Sequence, residues 1–292
     1  MLAGMGAGKA KIFDENGRKA LSRFVFYIAT SALIIDAVLS LSRSELSKLP
    51  NFIVVNCIIY VVVFFVLYLT LRFLKIPYKT GASILYAGTT ANTVYLGLPV
   101  IRVLYGAEGI LFAVALLTIP SIVADILDFY FLNSWRAGKA SFSKVLKDFI
   151  LNPLVLSSLV GFLLLIIGIS LPETLRSSLR LLGSGATGLA LFAMGLFLSE
   201  SSWKNFSIKL PLVTTIIKLL VVPFISYIIG YLCGLSGLAL SVTVIMAALP
   251  SAIFCMVVAT EYEFDERGTA DTILVSSLFF LLTSGLWVSL VG

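Results

Sequence analysis

The chain has 292 residues, of which 59% are hydrophobic and only 12% are charged, and its formal net charge is +6. A soluble domain carries roughly a quarter charged residues and covers its apolar core with a polar shell, which this composition cannot supply. The composition therefore excludes an ordinary soluble domain and predicts an all-α polytopic membrane protein, with the bilayer as its solvent.

Nine apolar stretches are long enough to span a bilayer, which takes about 20 mainly apolar residues. In chain order the predicted spans cover residues 20–41, 51–74, 80–104, 107–132, 149–170, 177–199, 207–232, 234–260 and 268–291. Residues 1–19 hold no apolar stretch long enough for a span or a signal peptide. They are predicted to form a cytoplasmic N-terminal segment.

The lysine and arginine residues indicate how the chain is oriented in a cell membrane. With a cytoplasmic N-terminus, fifteen of them fall in cytoplasmic segments, five fall outside and Lys218 lies within a span. Because cytoplasmic loops are enriched in basic residues, this asymmetry predicts a cytoplasmic N-terminus and, after nine spans, an external C-terminus. The connection at residues 133–148 is basic and is predicted to be a cytoplasmic loop. It separates four spans in residues 20–132 from five spans in residues 149–292.

The third and eighth predicted spans each contain a Leu-Pro step, at Leu98-Pro99 and Leu249-Pro250. Proline removes a backbone donor and clashes with the preceding turn, so we expect both helices to be interrupted near the membrane midplane. Such breaks persist only where protein or a wet cavity satisfies the freed backbone groups. The two spans are five apart and therefore run in opposite directions. Paired interrupted helices in an inverted repeat indicate the binding site of a transporter.

The residues around the two breaks suit a small organic anion. Proline is favourable at the first position of a helix, so Pro99 and Pro250 are each predicted to start a second half-helix whose positive end faces the midplane. The amide of Asn92 can donate to a carboxylate without carrying a charge. The alternative is a pair of proline-kinked helices with a capping asparagine. The candidate substrate-binding residues are Thr90, Asn92, Thr93, Gly97, Pro99, Pro250 and Ser251.

Several segments, in chain order, resemble one known family. They are residues 17–22 and 24–27, residues 90–99 and 103–106, residues 152–153, and residues 247–251 and 259–262. The pairs 90–99 with 103–106 and 247–251 with 259–262 look like the two crossover segments of the auxin efflux carrier family. This family comprises the PIN-type carriers and their microbial relatives, within the bile acid and auxin transporter-like superfamily.

The resemblance implies a fold of ten helices in two inverted repeats, with a scaffold domain and a mobile transport domain that holds two crossed, interrupted helices. It also implies an elevator-type alternating-access mechanism, a substrate site at the crossover and a homodimer. Members of the family move auxin or small carboxylates such as malate and malonate. Because nine spans are visible here, the first helix of the family is missing. Either the protein works with nine spans, or its start has been lost or misassigned.

Charged residues within the spans are candidates for charge coupling: Asp125, Asp128 and Lys218. A charge at a helix centre costs about 3 kcal/mol or more, so each should be paired or face water. Asp125 and Asp128 share one helix face, which suits proton or cation handling. The alternatives are an Asp125–Lys218 ion pair, or Lys218 as the balance for the substrate's charge. Asp36 and Asp128 lie near predicted helix ends and are expected to reach the interface.

The sequence argues against the main rival functions. Histidine is absent, which removes the commonest metal ligand and general base, and we predict no metal, cofactor or catalytic residue. An intramembrane protease would need histidines or a Gly-x-Gly-Asp motif, and neither is present. Isolated basic residues argue against a nucleic-acid partner.

The predicted partners are a small carboxylate or other organic anion and membrane lipid. A secondary transporter is preferred, and a channel or a non-transporting receptor or assembly protein is the alternative.

The predicted span at residues 177–199 contains several closely spaced glycines, at Gly183, Gly185 and Gly188. Glycine lets the backbones of two helices approach closely within a membrane. We therefore predict close helix packing at this place, at a domain or dimer interface.

Overall fold

The computed structural model describes residues 2–40, 47, 49–117, 119–137, 153–199 and 208–291, and the regular elements within these residues are helices. The α-helices before the predicted central loop are α1 (Leu2–Lys9), α2 (Glu15–Phe24), α3 (Thr30–Leu39), α4 (Leu49–Phe73), α5 (Tyr78–Thr89), α6 (Leu98–Leu116) and α7 (Ile119–Ala137). Those after it are α8 (Pro153–Ile167), α9 (Glu173–Ser184), α10 (Ala186–Leu198), α11 (Lys209–Ile216), α12 (Val222–Leu232), α13 (Gly237–Ala247), α14 (Cys255–Glu261) and α15 (Glu266–Val291). Three π-helices join or precede them: π1 (Val25–Ala29), π2 (Thr93–Gly97) and π3 (Ile217–Val221).

Within the part of the chain that the structure describes, five helical stretches are long and apolar enough to cross a membrane, judged by length and composition. They are Asn16–Leu39, Leu49–Phe73, Glu108–Arg136, Lys209–Leu232 and Glu266–Val291. Five of the predicted spans correspond to these stretches. The other four, at residues 80–104, 149–170, 177–199 and 234–260, contain shorter helices. The predicted loop at residues 133–148 begins within α7, and its part from residue 138 onward lies outside the described residues.

Helix α4 illustrates why these helices need a lipid solvent. Its buried residues recur every three or four positions, as on one face of an α-helix: Phe52, Val55, Ile59, Val63 and Leu67. The opposite face is exposed and equally apolar, at Val54, Ile58, Val62, Val66 and Leu69. An α-helix that is apolar all round is stable in water only if it is buried, so the exposed face is suited to lipid.

The described helices pack into two bundles. The first bundle contains α1–α3, π1 and α8–α10, in which α3 packs on α8 and α9, and α1 packs on α10. The second bundle contains α4–α7, π2, π3 and α11–α15, in which α4 packs on α7, α11 on α15, and α13 on α6 and α12. The bundles meet mainly where α3 contacts α6 and where α10 contacts π2. Each bundle therefore has far more internal than shared packing.

The N-terminal residues form structure that the sequence analysis did not predict. Helix α1 lies along α10, and a Cβ atom at Gly4 would stand 2.0 Å from the Phe192 carbonyl oxygen. Helix α2 begins after Asp14, whose carboxylate accepts a hydrogen bond from the Gly17 N–H at 2.7 Å. This aspartate satisfies one of the free N–H groups at the helix start. Part of the predicted cytoplasmic segment 1–19 is thus packed against the first bundle.

The glycine-rich span at residues 177–199 divides at Gly185 into α9 and α10. Helix α9 approaches the backbone of α3 so closely that a Cβ atom at Gly183 would lie 2.8 Å from Leu33 Cα. The close packing predicted for these glycines is therefore present at Gly183, inside the first bundle. Asp36 of α3 also contacts α9, because its carboxylate lies 3.9 Å from the Arg180 guanidinium.

We expect Gly183→Ala to lower the free energy of unfolding by about 1–3 kcal/mol, because the new methyl group must push α9 away from the α3 backbone. Gly188→Ala is the matched control, since a Cβ atom there meets nothing within 4 Å. In this helical position alanine should be neutral or stabilising by about 0.5–1 kcal/mol. Thermal unfolding of the two purified variants checks the prediction, and equal melting temperatures would contradict it.

Candidate functional site

Two broken helices cross in the second bundle. Helix α5 ends at Thr89 and the chain resumes a helical path at Thr93, while α13 ends at Ala247 and α14 starts at Cys255. The two breaks pair as antiparallel extended chain at Ala91 and Ser251. This arrangement is called the crossover below. It brings Thr90 and Asn92 of one break next to Pro250 and Ser251 of the other.

The crossover satisfies backbone groups that the helix breaks release. The Asn92 N–H donates to the Pro250 carbonyl oxygen at 2.9 Å, and the Ala252 N–H donates to the Thr90 carbonyl oxygen at 3.1 Å. Unpaired backbone groups cost several kcal/mol each in an apolar medium, so each break supplies the partners that the other one needs. The two breaks therefore stabilise each other.

The structure corrects the prediction that the two prolines start second half-helices. The helix after the first break begins at Thr93, and Pro99 follows as the second residue of α6. In the wide turn of π2 the Leu98 N–H donates to the Thr93 carbonyl oxygen, five residues back. A π-turn accommodates local irregularity without ending the helix, so Pro99 does not break it. Pro250 lies within the second break, and α14 starts five residues later, at Cys255.

Two further candidate residues have structural contacts at the crossover. A Cβ atom at Gly97 would lie 2.7 Å from both Leu249 Cδ1 and Met246 Sδ, so this position allows the two broken helices to approach closely. The Ser251 hydroxyl donates to the Ala87 carbonyl oxygen at 2.6 Å, and the Ser251 N–H donates to Ser276 Oγ at 3.2 Å. Ser251 therefore holds the second break against α5 and α15.

Asn92 is a buried residue whose side-chain amide forms no hydrogen bond within the described structure. The residue is 3% exposed. Its carbonyl oxygen accepts from the N–H groups of Leu96 and Gly97, and its own N–H is bound to Pro250. Within the part of the chain that the structure describes, no group hydrogen-bonds to its side-chain amide. Buried amides are normally hydrogen-bonded, so this one is available for a ligand.

Lys218 lies beside the crossover, in contact with the end of α13. Its side chain is fully buried, and its amine donates to the Ala247 carbonyl oxygen at 2.5 Å. Ala247 is the last residue of α13, where the helix leaves carbonyl groups without an intrahelical partner. A positive charge at the C-terminal end of a helix is stabilising, because the helix dipole is negative there. Lys218 thus stabilises one side of the break and, in its protonated form, places a positive charge there.

A narrow cavity of about 30 Å³ separates the crossover from α4 and from π3 and α12. Its polar lining residues are Asn56, Tyr60, Thr89, Thr93, Lys218, Ser226 and Thr243. The lining contains no acidic residue, so Lys218 carries its net charge. A volume of this size holds about one water molecule and is too small for an organic substrate.

The cavity contains three polar residues that were not predicted from the sequence as site residues: Asn56, Tyr60 and Thr243. Asn56 lies in the middle of α4, where its amide donates to the Phe52 carbonyl oxygen at 2.9 Å and to Thr243 Oγ1 at 3.1 Å. It therefore links α4 to α13. A polar residue in the middle of an apolar span was the signal that could have identified it.

The acidic residues of α7 form no ion pair with Lys218 in the described structure. Among the described residues, neither Asp125 nor Asp128 has a basic group within 4 Å, so the alternative of an Asp125–Lys218 ion pair is wrong. Asp128 was expected to reach the interface, but it is 2% exposed and lies inside the second bundle. Thr89 and the hydroxyl groups of Tyr60 and Tyr86 lie near the two carboxyl groups.

Comparison with known proteins shows what this chain is similar to. The model of a family described as "Membrane transport protein" matches residues 1–288. An uncharacterized transporter of Methanocaldococcus jannaschii is 29% identical, over 94% of this chain and 90% of its own. The uncharacterized transporter YfdV of Escherichia coli is 24% identical, over 99% and 93%. Auxin efflux carrier component 8 of Arabidopsis thaliana is 25% identical, over 70% and 68%.

Proposed function

Because this chain belongs to the membrane transport protein family, with auxin efflux carriers among its relatives, we propose that it is a secondary transporter of a small organic anion. Membership makes it a multi-pass membrane transporter rather than an enzyme, and it bears out the resemblance drawn from the crossover segments. The anion is an auxin-like or other carboxylate. The observation that carries this substrate class is the unpartnered amide of Asn92 beside the crossover.

The charge distribution around the crossover supports an anionic substrate. Lys218 contributes a buried positive charge, and the cavity lining that contains it has no acidic residue to neutralise it. The helix that begins at Thr93 adds N–H groups without an intrahelical partner and a positive dipole end. A carboxylate next to Asn92 and Thr93 would accept hydrogen bonds and balance these charges. We therefore place the substrate against Asn92, Thr90 and Thr93.

The two bundles support an elevator-type alternating-access mechanism. We propose that the first bundle is the scaffold and that the second bundle, which holds the crossover, moves against it with the substrate. The contacts that must separate are few, and they include the stacked rings of Phe26 in π1 and Phe254 in the second break, 5.5 Å apart. The present cavity is too small for a carboxylate, so a conformational change is needed before substrate can bind.

The remaining architectural proposals follow from the resemblance. Residues 20–132 and 149–292 form the two inverted repeats, with the broken helices in corresponding places. The N-terminus is cytoplasmic and the C-terminus is external, as the basic residues predict. We also propose a homodimer. A channel is the less favoured alternative, because the two breaks close on each other and the cavity beneath them is narrow.

Thermal unfolding of the purified protein tests the substrate class. Malonate, malate and indole-3-acetate are compared with malonamide, malamide and indole-3-acetamide, which keep the shapes of the acids but lack their charge. A ligand that binds only the folded protein raises its melting temperature by mass action. We expect at least one acid to do so in a concentration-dependent way, while its amide does not. Equal stabilisation by the amide would contradict an anionic substrate.

Counterflow in proteoliposomes separates a carrier from its two alternatives. The stabilising acid is loaded unlabelled inside the vesicles, and uptake of the labelled acid is followed from outside. A carrier shows saturable uptake that the internal acid accelerates. Uptake that does not saturate would indicate a channel, and stabilisation without any uptake would indicate a receptor.

A further inference from the structure

Asp128 is a buried carboxylic acid that the crossover does not use. It is 2% exposed, and its Oδ1 atom is fully buried without a hydrogen-bond donor. No lysine or arginine among the described residues lies within 4 Å of it. An ionised carboxylate in such a place costs several kcal/mol. The described conformation therefore favours a neutral, protonated Asp128.

The groups near Asp128 come from α7 itself and from two helices packed on it, α4 and α5. Asp125 precedes Asp128 by one turn on the same helix, α4 contributes Tyr60, and α5 contributes Tyr86 and Thr89. Cys255 of α14 also lies within electrostatic range, while α6 contributes no titratable group to this cluster in the described part of the chain. Thr89 Oγ1 lies within hydrogen-bonding range of the Asp128 carboxyl, and the Thr89 hydroxyl donates to the Leu85 carbonyl oxygen at 2.9 Å. None of these groups is a cation.

The composition of this cluster favours a proton over a metal ion. No group of three or more acidic, cysteine or histidine side chains in the described residues could hold a metal ion. Sodium and other hard cations need several oxygen ligands, whereas a proton needs one carboxylate oxygen and a dry site. Asp128 supplies both.

Two of its neighbours connect Asp128 to the substrate site. Thr89 and Tyr60 line the cavity beneath the crossover, together with Thr93 and Lys218. The cavity has room for a water molecule, which can pass a proton between the crossover and the acid. Thr89 is also the last residue of α5, directly before the first break. A charge on Asp128 therefore acts on the crossover itself.

From this arrangement we propose that Asp128 is the proton site of a proton-coupled symporter, an inference that rests on the proposed transport function. A proton from water on one side of the membrane binds the Asp128 carboxylate and neutralises it. The second bundle then moves with the substrate anion and the proton. On the other side the same O–H bond breaks and the proton returns to water. One proton and one anion cross together.

Infrared spectroscopy of the protein in lipid vesicles tests the protonation of Asp128 without any substrate. We expect the wild type at neutral pH to show the C=O stretch of a buried carboxylic acid, and Asp128→Asn to lack it. The Asp125→Asn variant serves to assign the band. If the band comes from Asp128, this variant should still show it. The absence of this band in the wild type would overturn the assignment to Asp128. The assignment would also be wrong if the band disappeared in Asp125→Asn and remained in Asp128→Asn.

Transport in proteoliposomes tests the coupling, with malonate as the probe if it stabilises the protein and the membrane potential clamped at zero. If one proton crosses with each anion, a pH outside that is one unit lower than inside should raise the ratio of internal to external malonate about tenfold in the wild type. Asp128→Asn should show no response to the gradient. Asp271→Asn is the matched control, because this buried carboxylate has a partner in Arg267 at 4.0 Å, and it should respond as the wild type does.

The outcomes separate this inference from the proposed function. If the wild type transports none of the acids, the transport proposal fails while the infrared result still reports on Asp128. If the wild type transports an acid and Asp128→Asn still responds to the pH gradient, the coupling inference is wrong and the transport proposal stands. A sodium gradient that replaces the pH gradient in driving the wild type would also overturn it.

Discussion

Replacing Asn92 by alanine is expected to weaken carboxylate binding by about 10- to 100-fold without lowering the melting temperature of the ligand-free protein. Its side-chain amide has no partner in the described structure, so its removal breaks no internal hydrogen bond. A hydrogen bond to a charged group contributes about 1.5–3 kcal/mol, and each 1.4 kcal/mol is roughly a factor of ten in affinity. Thermal shifts at increasing concentrations of the stabilising acid give the affinity.

Asn56→Ala is the matched control for Asn92→Ala. Both asparagines are 3% exposed, but Asn56 lines the cavity and its amide is satisfied by Phe52 and Thr243. Its removal should leave polar partners unpaired, and we expect about 1–3 kcal/mol lower stability. The two variants should therefore show opposite patterns. Wild-type affinity in Asn92→Ala would show that the substrate site is elsewhere.

Lys218→Met is expected to have the larger effect on binding, with at least a 100-fold loss of carboxylate affinity. Methionine fills the volume of the lysine stem but removes the buried positive charge beneath the crossover. It also removes the charged hydrogen bond to the Ala247 carbonyl oxygen, which leaves the end of α13 without that partner. Loss of the charge therefore affects both the anion and the break that surrounds it.

The exposed Lys209, at the start of α11 in the same bundle, provides the control. Lys209→Met makes the same chemical change outside the crossover and should leave affinity unchanged. Isothermal titration with the stabilising acid measures both variants. Because burying a charge carries its own desolvation cost, the stability of Lys218→Met can change in either direction, and affinity is the decisive readout. Unchanged affinity in Lys218→Met would exclude Lys218 from charge balance.

Features that depend on short stretches of sequence were predicted well. The five long spans follow from runs of apolar residues, which any local segment must bury or expose to lipid. The interruption at Leu249-Pro250 follows from the missing N–H of proline, a property of one residue. Polar and helix-breaking residues are conspicuous in an apolar span, which is why Asn92, Thr93, Pro250 and Ser251 are candidates, and their role in substrate binding stays a prediction.

Features that depend on distant contacts were not predictable in this way. The first helix breaks at residues 90–92 instead of at Leu98-Pro99, because the extended segment there pairs with the second break. Helix α1 is held against α10, and Gly185 divides a span that reads as continuous. Lys218 contacts Ala247, 29 residues away, in place of Asp125. Each of these depends on which helix lies beside which.

The sequence by itself determined that the chain is embedded in a membrane and that its eighth predicted span is interrupted at Leu249-Pro250, and its motifs pointed to a carrier family. Hydrophobicity and proline act locally, so composition and spacing are sufficient to reveal them. Only the tertiary structure decided which polar groups are satisfied and which are left over. The amide of Asn92 has no hydrogen-bond partner in the described structure, and Oδ1 of Asp128 has none either, whereas Asn56 and Asp271 have partners. Partners come from distant helices, so only the packed bundle can show where one is missing.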